Sequence, residues 1–293
     1  MPIPINRCVF QPSVVRIAET TMLIDGIDRA IEDIGALDAA EIKDTPLYNL
    51  MGRVLVNGGT GDDLSEYAGR QCYHSWSKGR APAEYISNTL DQGHGSIFEH
   101  AHASFQITGV SRAFSHELVR HSVGTAISQE SQRYVDAKDI RFVVPPLLAY
   151  HVADMTPEQL ETDEEFTLFR KSNGRALRDY VALQSLFVKR QTARISNGAT
   201  EKAITSAKKR ANEAARALLP NCAETKLVYT MNLRAMRHVI TLRGTEYADL
   251  EIRRVAVGLL EEGRSFAPHF FAGVEELVGN DNLPIVNAKV NRV

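Results

Sequence analysis

Three segments of this chain carry basic and polar side chains where a core would call for apolar ones. The first is Gly93-His94-Gly95-Ser96-Ile97-Phe98-Glu99-His100. The second runs from Glu117-Leu118-Val119-Arg120-His121 through Ser128-Gln129-Glu130-Ser131-Gln132-Arg133-Tyr134. The third joins Arg216, just before Leu218-Leu219-Pro220, to the stretch from Asn232 to Arg243. In that stretch Arg234, Arg237, His238 and Thr241 stand at i, i+3, i+4 and i+7, so a helix would align two guanidiniums, an imidazole and a hydroxyl. Guanidinium forks grip phosphate oxygens in pairs, so the stripe suits an anionic ligand. Spacing alone better fits a solvated face paired with Glu246 or Glu251. Five of the nine histidines fall between His94 and His121. His100 and His102 are expected on a strand with one residue between them, which puts them on one side. There they could ligate a metal with Glu99 and with His116 or His121, or be ordinary satisfied strand histidines. Cys222 follows Pro220 in a loop-like segment open to a nucleophilic thiol, yet no base for it is identifiable, and a small buried hydrophobe is the other reading.

The elements that must position these groups are mostly helical. The pattern predicts helices over about 20–34, 62–73, 81–90, 111–121, 201–218, 232–242 and 246–266. A long one opens at Thr156-Pro157-Glu158-Gln159, whose Thr, Pro and Gln form a capping signature, and runs to about Gln191. Strand character is confined to 101–110, 140–144 and 225–229, while 122–135 has no clear period and reads as a loop. Long helices around a few short strands predict an α+β fold rather than an alternating parallel sheet. Gly58-Gly59-Thr60-Gly61 lacks the Lys-Ser/Thr ending of a phosphate loop and reads as a turn, and no GxGxxG follows a strand. Neither repeats nor low-complexity linkers divide the chain.

Composition sets outer limits. The chain has 293 residues, 44% of them hydrophobic and 24% charged, which fits a globular protein with a sizeable core and not a disordered or coiled-coil one. A formal charge of -2 argues against a partner held by bulk positive charge, so no nucleic-acid partner is expected. No apolar run approaches the roughly 20 residues that span a bilayer, and the first residues do not form a secretory signal. Cys8, Cys72 and Cys222 are too few and scattered for a disulfide framework. The expectation is a soluble, cytoplasmic protein without a membrane partner.

Taken together, the three segments resemble the flavin-dependent thymidylate synthase family. Its signature is Arg-His-Arg, seven residues, Ser, one residue, then Arg-Tyr or Arg-Phe. Here Arg120-His121-Ser122 is followed by eight residues (123–130) and by Ser131-Gln132-Arg133-Tyr134. Upstream, Gly93-His94 with Phe98-Glu99-His100 matches a Gly-His and Glu-His segment. Downstream, Asn232, Arg234 and Leu242-Arg243 match an Asn-x-Arg helix ending in Leu-Arg. Tyr247-Ala248-Asp249-Leu250-Glu251-Ile252 matches the stretch after it, and Arg216 the arginine before Leu-Pro. The resemblance covers about 85–135 and 205–270. It leaves an N-terminal extension of about 1–60 and a helical insertion of about 155–200 within a single domain spanning 1–293.

The resemblance implies a flavin-dependent thymidylate synthase-like α+β fold, with long helices around a small mixed or antiparallel sheet. It implies a homotetramer with active sites built between subunits. FAD recharged by NADPH would supply a hydride, and methylenetetrahydrofolate one carbon, to make a methyl on carbon 5 of dUMP. His94, Ser96, Glu99, Arg120, His121, Asn232 and His238 would contact FAD. Glu117, Gln129, Ser131, Gln132, Arg133, Arg216 and Arg243 would hold the nucleotide, with Arg243 and Ser131 nearest the chemistry. Ser122 in place of Arg, and the longer spacing after it, raise UMP as an alternative substrate and a non-catalytic nucleotide-binding regulator as another. Two further readings are a metal-binding module without flavin, built on His100 and His102, and methylation through a covalent Cys222.

Overall fold

A computed structural model describes residues 1–34, 45–76, 79–194 and 200–289. The chain divides into two units interleaved in sequence. The first comprises Met1–Pro12, Ile107–Leu118 and Ser128–Leu227, the second Ser13–Gln106, Val119–Ile127 and Val228–Val293. Helices and short strands are mixed as an α+β protein requires. Strands β2 (Ser13–Glu19), β3 (His102–Ser111), β4 (Thr125–Gln129) and β6 (Glu224–Asn232) form a sheet in the order β2-β3-β6-β4. Two further pairs are β1 (Cys8–Val9) parallel to β5 (Phe142–Val143), and β7 (Val274–Val278) antiparallel to β8 (Pro284–Ala288). No described helix is long and apolar enough to cross a membrane.

In the first unit the core gathers around β1 and β5, where Ile3, Cys8, Phe142, Val144, Val152 and Phe166 are buried together. The Thr156–Gln159 capping box forms as expected and starts a helix at Pro157–Thr162. That helix does not continue to Gln191. Asp163 takes an extended ψ of 129°, and its carboxylate accepts the Phe166 N–H at 2.8 Å, so a second helix begins at Glu164–Thr192. An N-cap in mid-run breaks the helix that apolar periodicity alone joins. This long helix packs along the one at Glu201–Ala215. The Tyr180 hydroxyl, buried among the first unit's side chains, accepts the Ala137 N–H at 3.1 Å and fixes the segment after Tyr134.

In the second unit a helix at Gly61–Tyr73 starts from a full capping box between Thr60 and Asp63. The helices Leu233–Arg243, Leu250–Phe266 and Pro268–Phe271 complete its core. Asp62 is buried and accepts the backbone N–H groups of His269 at 2.7 Å and Phe270 at 3.0 Å. Burial raises its carboxyl to about 6, against the opposing pull of those two N–H groups. The first helix of this unit spans Ile24–Ile34 and begins later than its sequence pattern, because Thr20 pairs its N–H with the carbonyl of His102. Three expectations change here. The 122–135 segment is not all loop, since Thr125–Gln129 forms the edge strand β4. The histidine pair does not share a strand: His100 closes the 3-10 turn Gly95–Glu99 in a helical conformation, and β3 begins only at His102. Among the described residues no group of three or more His, Cys, Asp or Glu side chains could hold a metal ion.

Candidate functional site

The cofactor residues expected from the sequence, together with Arg243, fall in the second unit. The remaining nucleotide residues fall in the first. In the second unit a cavity of about 690 Å³ is lined by His94, Ser96 and Arg234 among polar residues, with Tyr73, Tyr85 and Ile97 as its aromatic and apolar wall. The ring of His94 stacks on Tyr73 with centroids 6.0 Å apart. Arg70 stiffens the wall: fully buried, it donates to Glu66 at 2.8 Å and to the Arg80 carbonyl at 2.8 Å, and lies over the Tyr85 ring at 4.4 Å. Arg234 pairs with Glu99 at 2.5 Å, so Glu99 bears on the cavity through that arginine. Volume and lining fall in the range of sites for nucleotide-sized ligands, and the mix of aromatic faces with cationic donors fits a flavin nucleotide.

A second cluster in this unit joins His121, His238 and Arg243. Arg243 closes its helix and donates Nε–H to His121 Nε2 at 2.8 Å. The rings of His121 and His238 meet edge to face at 5.7 Å. Burial, then the charges of Arg243 and His238, push the His121 imidazole down to about 4. His121 is therefore neutral at pH 7, and because Nε2 accepts, its proton sits on Nδ1. The His121 carbonyl accepts from the Tyr229 hydroxyl at 3.1 Å and the Thr125 hydroxyl at 2.8 Å, which fixes the ring's backbone. Asn232 caps the Leu233–Arg243 helix by accepting the Ala235 N–H at 2.8 Å. Gly124 touches it closely: a Cβ there would lie 2.6 Å from Asn232 Nδ2, and its φ of 69° is one that glycine tolerates. Arg120 is exposed, and neither it nor His238 lines the cavity that His94 and Ser96 share.

The expected stripe of Arg234, Arg237, His238 and Thr241 does not act as one. Arg237 turns inward, buried, and donates to the Phe270 carbonyl at 2.5 Å with its guanidinium 5.2 Å from that ring; burial lowers it to about 10. Thr241 returns its hydroxyl to the Arg237 carbonyl at 2.9 Å. Arg234 and His238 stay exposed.

In the first unit, Gln129 donates to the Thr225 hydroxyl at 3.1 Å, and Arg112 reaches the same hydroxyl and the Glu130 carbonyl, each at 3.4 Å. Burial and the neighbouring charge of Arg216 both lower the Arg112 guanidinium. The Glu130 carboxylate opposes that shift, and a further anion near Arg112 and Arg216 would offset their charges. No motif in the sequence marks Arg112; its one signal is its position just after β3. Ser131 accepts the Arg133 N–H at 3.3 Å in a tight turn, and Arg133 donates to Glu213 at 2.8 Å. Gln132 lines a different, smaller cavity of about 240 Å³ with Glu130, Arg141 and Glu224. Glu117 is half-buried near the end of the helix at Arg112–Leu118. Cys222 points its thiol at Asn173 Oδ1, 3.1 Å away.

A cofactor-sized cavity with aromatic walls, and cationic side chains gathered near Thr225, suit an α+β protein that handles nucleotides. Residues 54–269 match the family of the thymidylate synthase complementing protein, and the chain belongs to that family. It is 41% identical over 219 residues to the flavin-dependent thymidylate synthase of Mycobacterium tuberculosis (strain ATCC 25177 / H37Ra), covering 73% of this chain and 80% of that protein. The protein of the same name from Mycobacterium avium (strain 104) matches with equal identity and coverage. That from Mycolicibacterium vanbaalenii is 40% identical over 232 residues, 78% of this chain and 85% of its own. The family resemblance carried by the three segments is borne out.

Proposed function

We propose that this protein methylates carbon 5 of dUMP to give dTMP, using methylenetetrahydrofolate as carbon donor and NADPH as reductant. When bound, FAD supplies the hydride that completes the methyl group. His94, Ser96 and Arg234 would hold it, with Glu99, Arg120, His121, Asn232 and His238. The single observation that carries the nucleotide reading is half-buried Arg112, which shares the Thr225 hydroxyl with Gln129 and lies near enough to Arg216 to feel its charge; a 5′-phosphate would join Glu130 in balancing the two cations. Arg133, Ser131, Gln129, Gln132 and Glu117 complete the nucleotide residues, and Ser131 positions rather than attacks. A uracil carbon 5 is a poor nucleophile until negative charge on the ring is stabilised, and Arg243 provides that charge stabilisation. Neutral His121 accepts from Arg243 Nε and fixes the plane of the fork without adding negative charge beside it. The domain is a flavin-dependent thymidylate synthase fold with an extension over about 1–60 and an insertion over about 155–200. It works in the cytoplasm as a homotetramer whose subunits share active sites.

The test is turnover with purified protein, FAD, NADPH and methylenetetrahydrofolate, comparing dUMP with UMP under identical conditions. The expected result is a flavin absorption spectrum and dTMP formed in preference to methylated UMP. A UMP preference would move the reading to modified-nucleoside synthesis; colourless protein that takes up no FAD would overturn it.

A further inference from the structure

The first unit holds another cavity, of about 610 Å³, against the helices Glu164–Thr192 and Glu201–Ala215, the part of the chain where the expected insertion lies. Its charged lining is Lys189, Lys208, Lys209 and Arg133, against the single carboxylate Asp136. Two of the cations are occupied. Lys209 donates to the Tyr134 hydroxyl at 2.5 Å and sits 4.3 Å over that ring, and Arg133 is bound to Glu213. Asp136 is also engaged, by Gln184 at 3.4 Å and by the Lys138 N–H at 3.0 Å. Lys189 and Lys208 differ. Both are exposed, and among the described residues neither ammonium meets a carboxylate.

Like charges gathered in one concavity repel each other, and a ligand carrying several anions along its length relieves them all at once. Which anion follows from the donors. Guanidinium forks match phosphate in pairs, whereas ammonium groups act as separate point charges that suit single anionic groups spaced along a chain. Among the described residues lining this cavity the one guanidinium, Arg133, is bound to Glu213, so the charges available to a ligand are separate ammoniums on two helices. We propose that the cavity binds a chain of carboxylates, the poly-γ-glutamyl tail of the folate co-substrate, with Lys189 and Lys208 as its specificity-determining residues. This rests on the folate-dependent reaction proposed above. It places the tail beside Arg133 and Tyr134, next to the segment assigned to the nucleotide.

Two measurements test it. The first is KM for methylenetetrahydrofolate bearing one or five glutamates, on the flavin-loaded enzyme. The wild type should favour the pentaglutamate by about tenfold, equivalent to about 1.4 kcal/mol. The double variant Lys189→Ala/Lys208→Ala should reduce that preference to twofold or less, and Lys189→Arg/Lys208→Arg should keep most of it. The second is calorimetric titration of the same proteins with free γ-linked pentaglutamate, at fixed ionic strength, with tripolyphosphate as the competing probe. Binding of pentaglutamate that the alanine pair abolishes supports the site without any turnover. It therefore judges the cavity even if the proposed reaction fails. Equal KM values for the two folates in the wild type would overturn the proposal. So would an alanine pair that keeps the full preference, or tripolyphosphate binding tenfold tighter than pentaglutamate.

Discussion

The neutral His121 beside Arg243 makes a prediction whose size can be worked from the structure. The imidazole stands at about 4 against an ordinary 6.5, from burial first, then from the charges of Arg243 and His238. Its sign follows from proton counting. Above pH 6.5 the ring is neutral in both folded and unfolded chains; between 6.5 and 4 the unfolded chain takes up a proton that the folded one refuses. Stability is therefore lost as the pH falls through that window. At ~1.36 kcal/mol per pH unit the whole interval is worth about 3 kcal/mol, and because the ring is only half-buried, solvent screening brings this to about 1–2 kcal/mol. Replacing Arg243 by Gln removes the second cause and leaves the larger one. A unit charge about 4 Å away is worth about 1 kcal/mol in water and about 4 kcal/mol at an effective dielectric of 20, so a half-exposed pair should move by about one pH unit. The assay is nitrogen-correlated NMR of the histidine rings from pH 8 to 4. His121 should show the Nδ1–H tautomer and no titration above pH 5, and Arg243→Gln should raise its midpoint by about one unit while keeping it below 6.5. A wild-type midpoint at 6 or above, or one that Arg243→Gln leaves in place, would refute the reasoning.

Two further outcomes follow from half-buried Arg216 and buried Asp62. Arg216→Ala should raise KM for the uridylate roughly 10–100-fold, the size of a lost charge-assisted hydrogen bond, and Arg216→Lys should restore little of it, as steady-state kinetics will show. Asp62 has the opposite sign to His121: its carboxyl is raised to about 6 from 3.8, so the stability it contributes is present at acid pH and lost as pH rises through 6. The difference in melting temperature between wild type and Asp62→Asn should therefore shrink from pH 4 to pH 7, and a pH-independent difference would contradict that.

Much of the helical frame is visible in the chain because its helices announce their own ends. Thr60 with Asp63, Thr156 with Gln159 and Asn232 with the Ala235 N–H are caps that residue types alone specify. What sequence reading loses is structure fixed by partners distant in the chain. Strand β4 alternates half-buried Thr125 and Ile127 with exposed Ala126 and Ser128, a pattern too weak in apolar contrast to register until β6 lies beside it. The helix Pro46–Asn57 carries a local signal of its own, Thr45 before Pro46, whereas the pair β7–β8 is fixed by pairing between strands.

The site shows the same division more sharply. Residue types and spacing single out His94, His121, Arg216 and Arg243 as candidates, because each sits in a segment whose polarity is out of place for a core. Spacing misjudged Arg237, since i, i+3, i+4 and i+7 define a stripe about 100° wide or more and not a single direction. The buried edge of such a stripe meets whatever element packs there, here the Phe270 carbonyl and ring. Arg112 escaped for the converse reason. It stands next to a strand, with no motif of its own, and acquires its meaning only when Arg216, more than a hundred residues later, is folded against it. A guanidinium in sequence is only a cation; burial, the charge of Arg216 and the opposing Glu130 carboxylate give Arg112 its setting in the fold. The pairing, and not the presence of either arginine, is what the nucleotide would recognise.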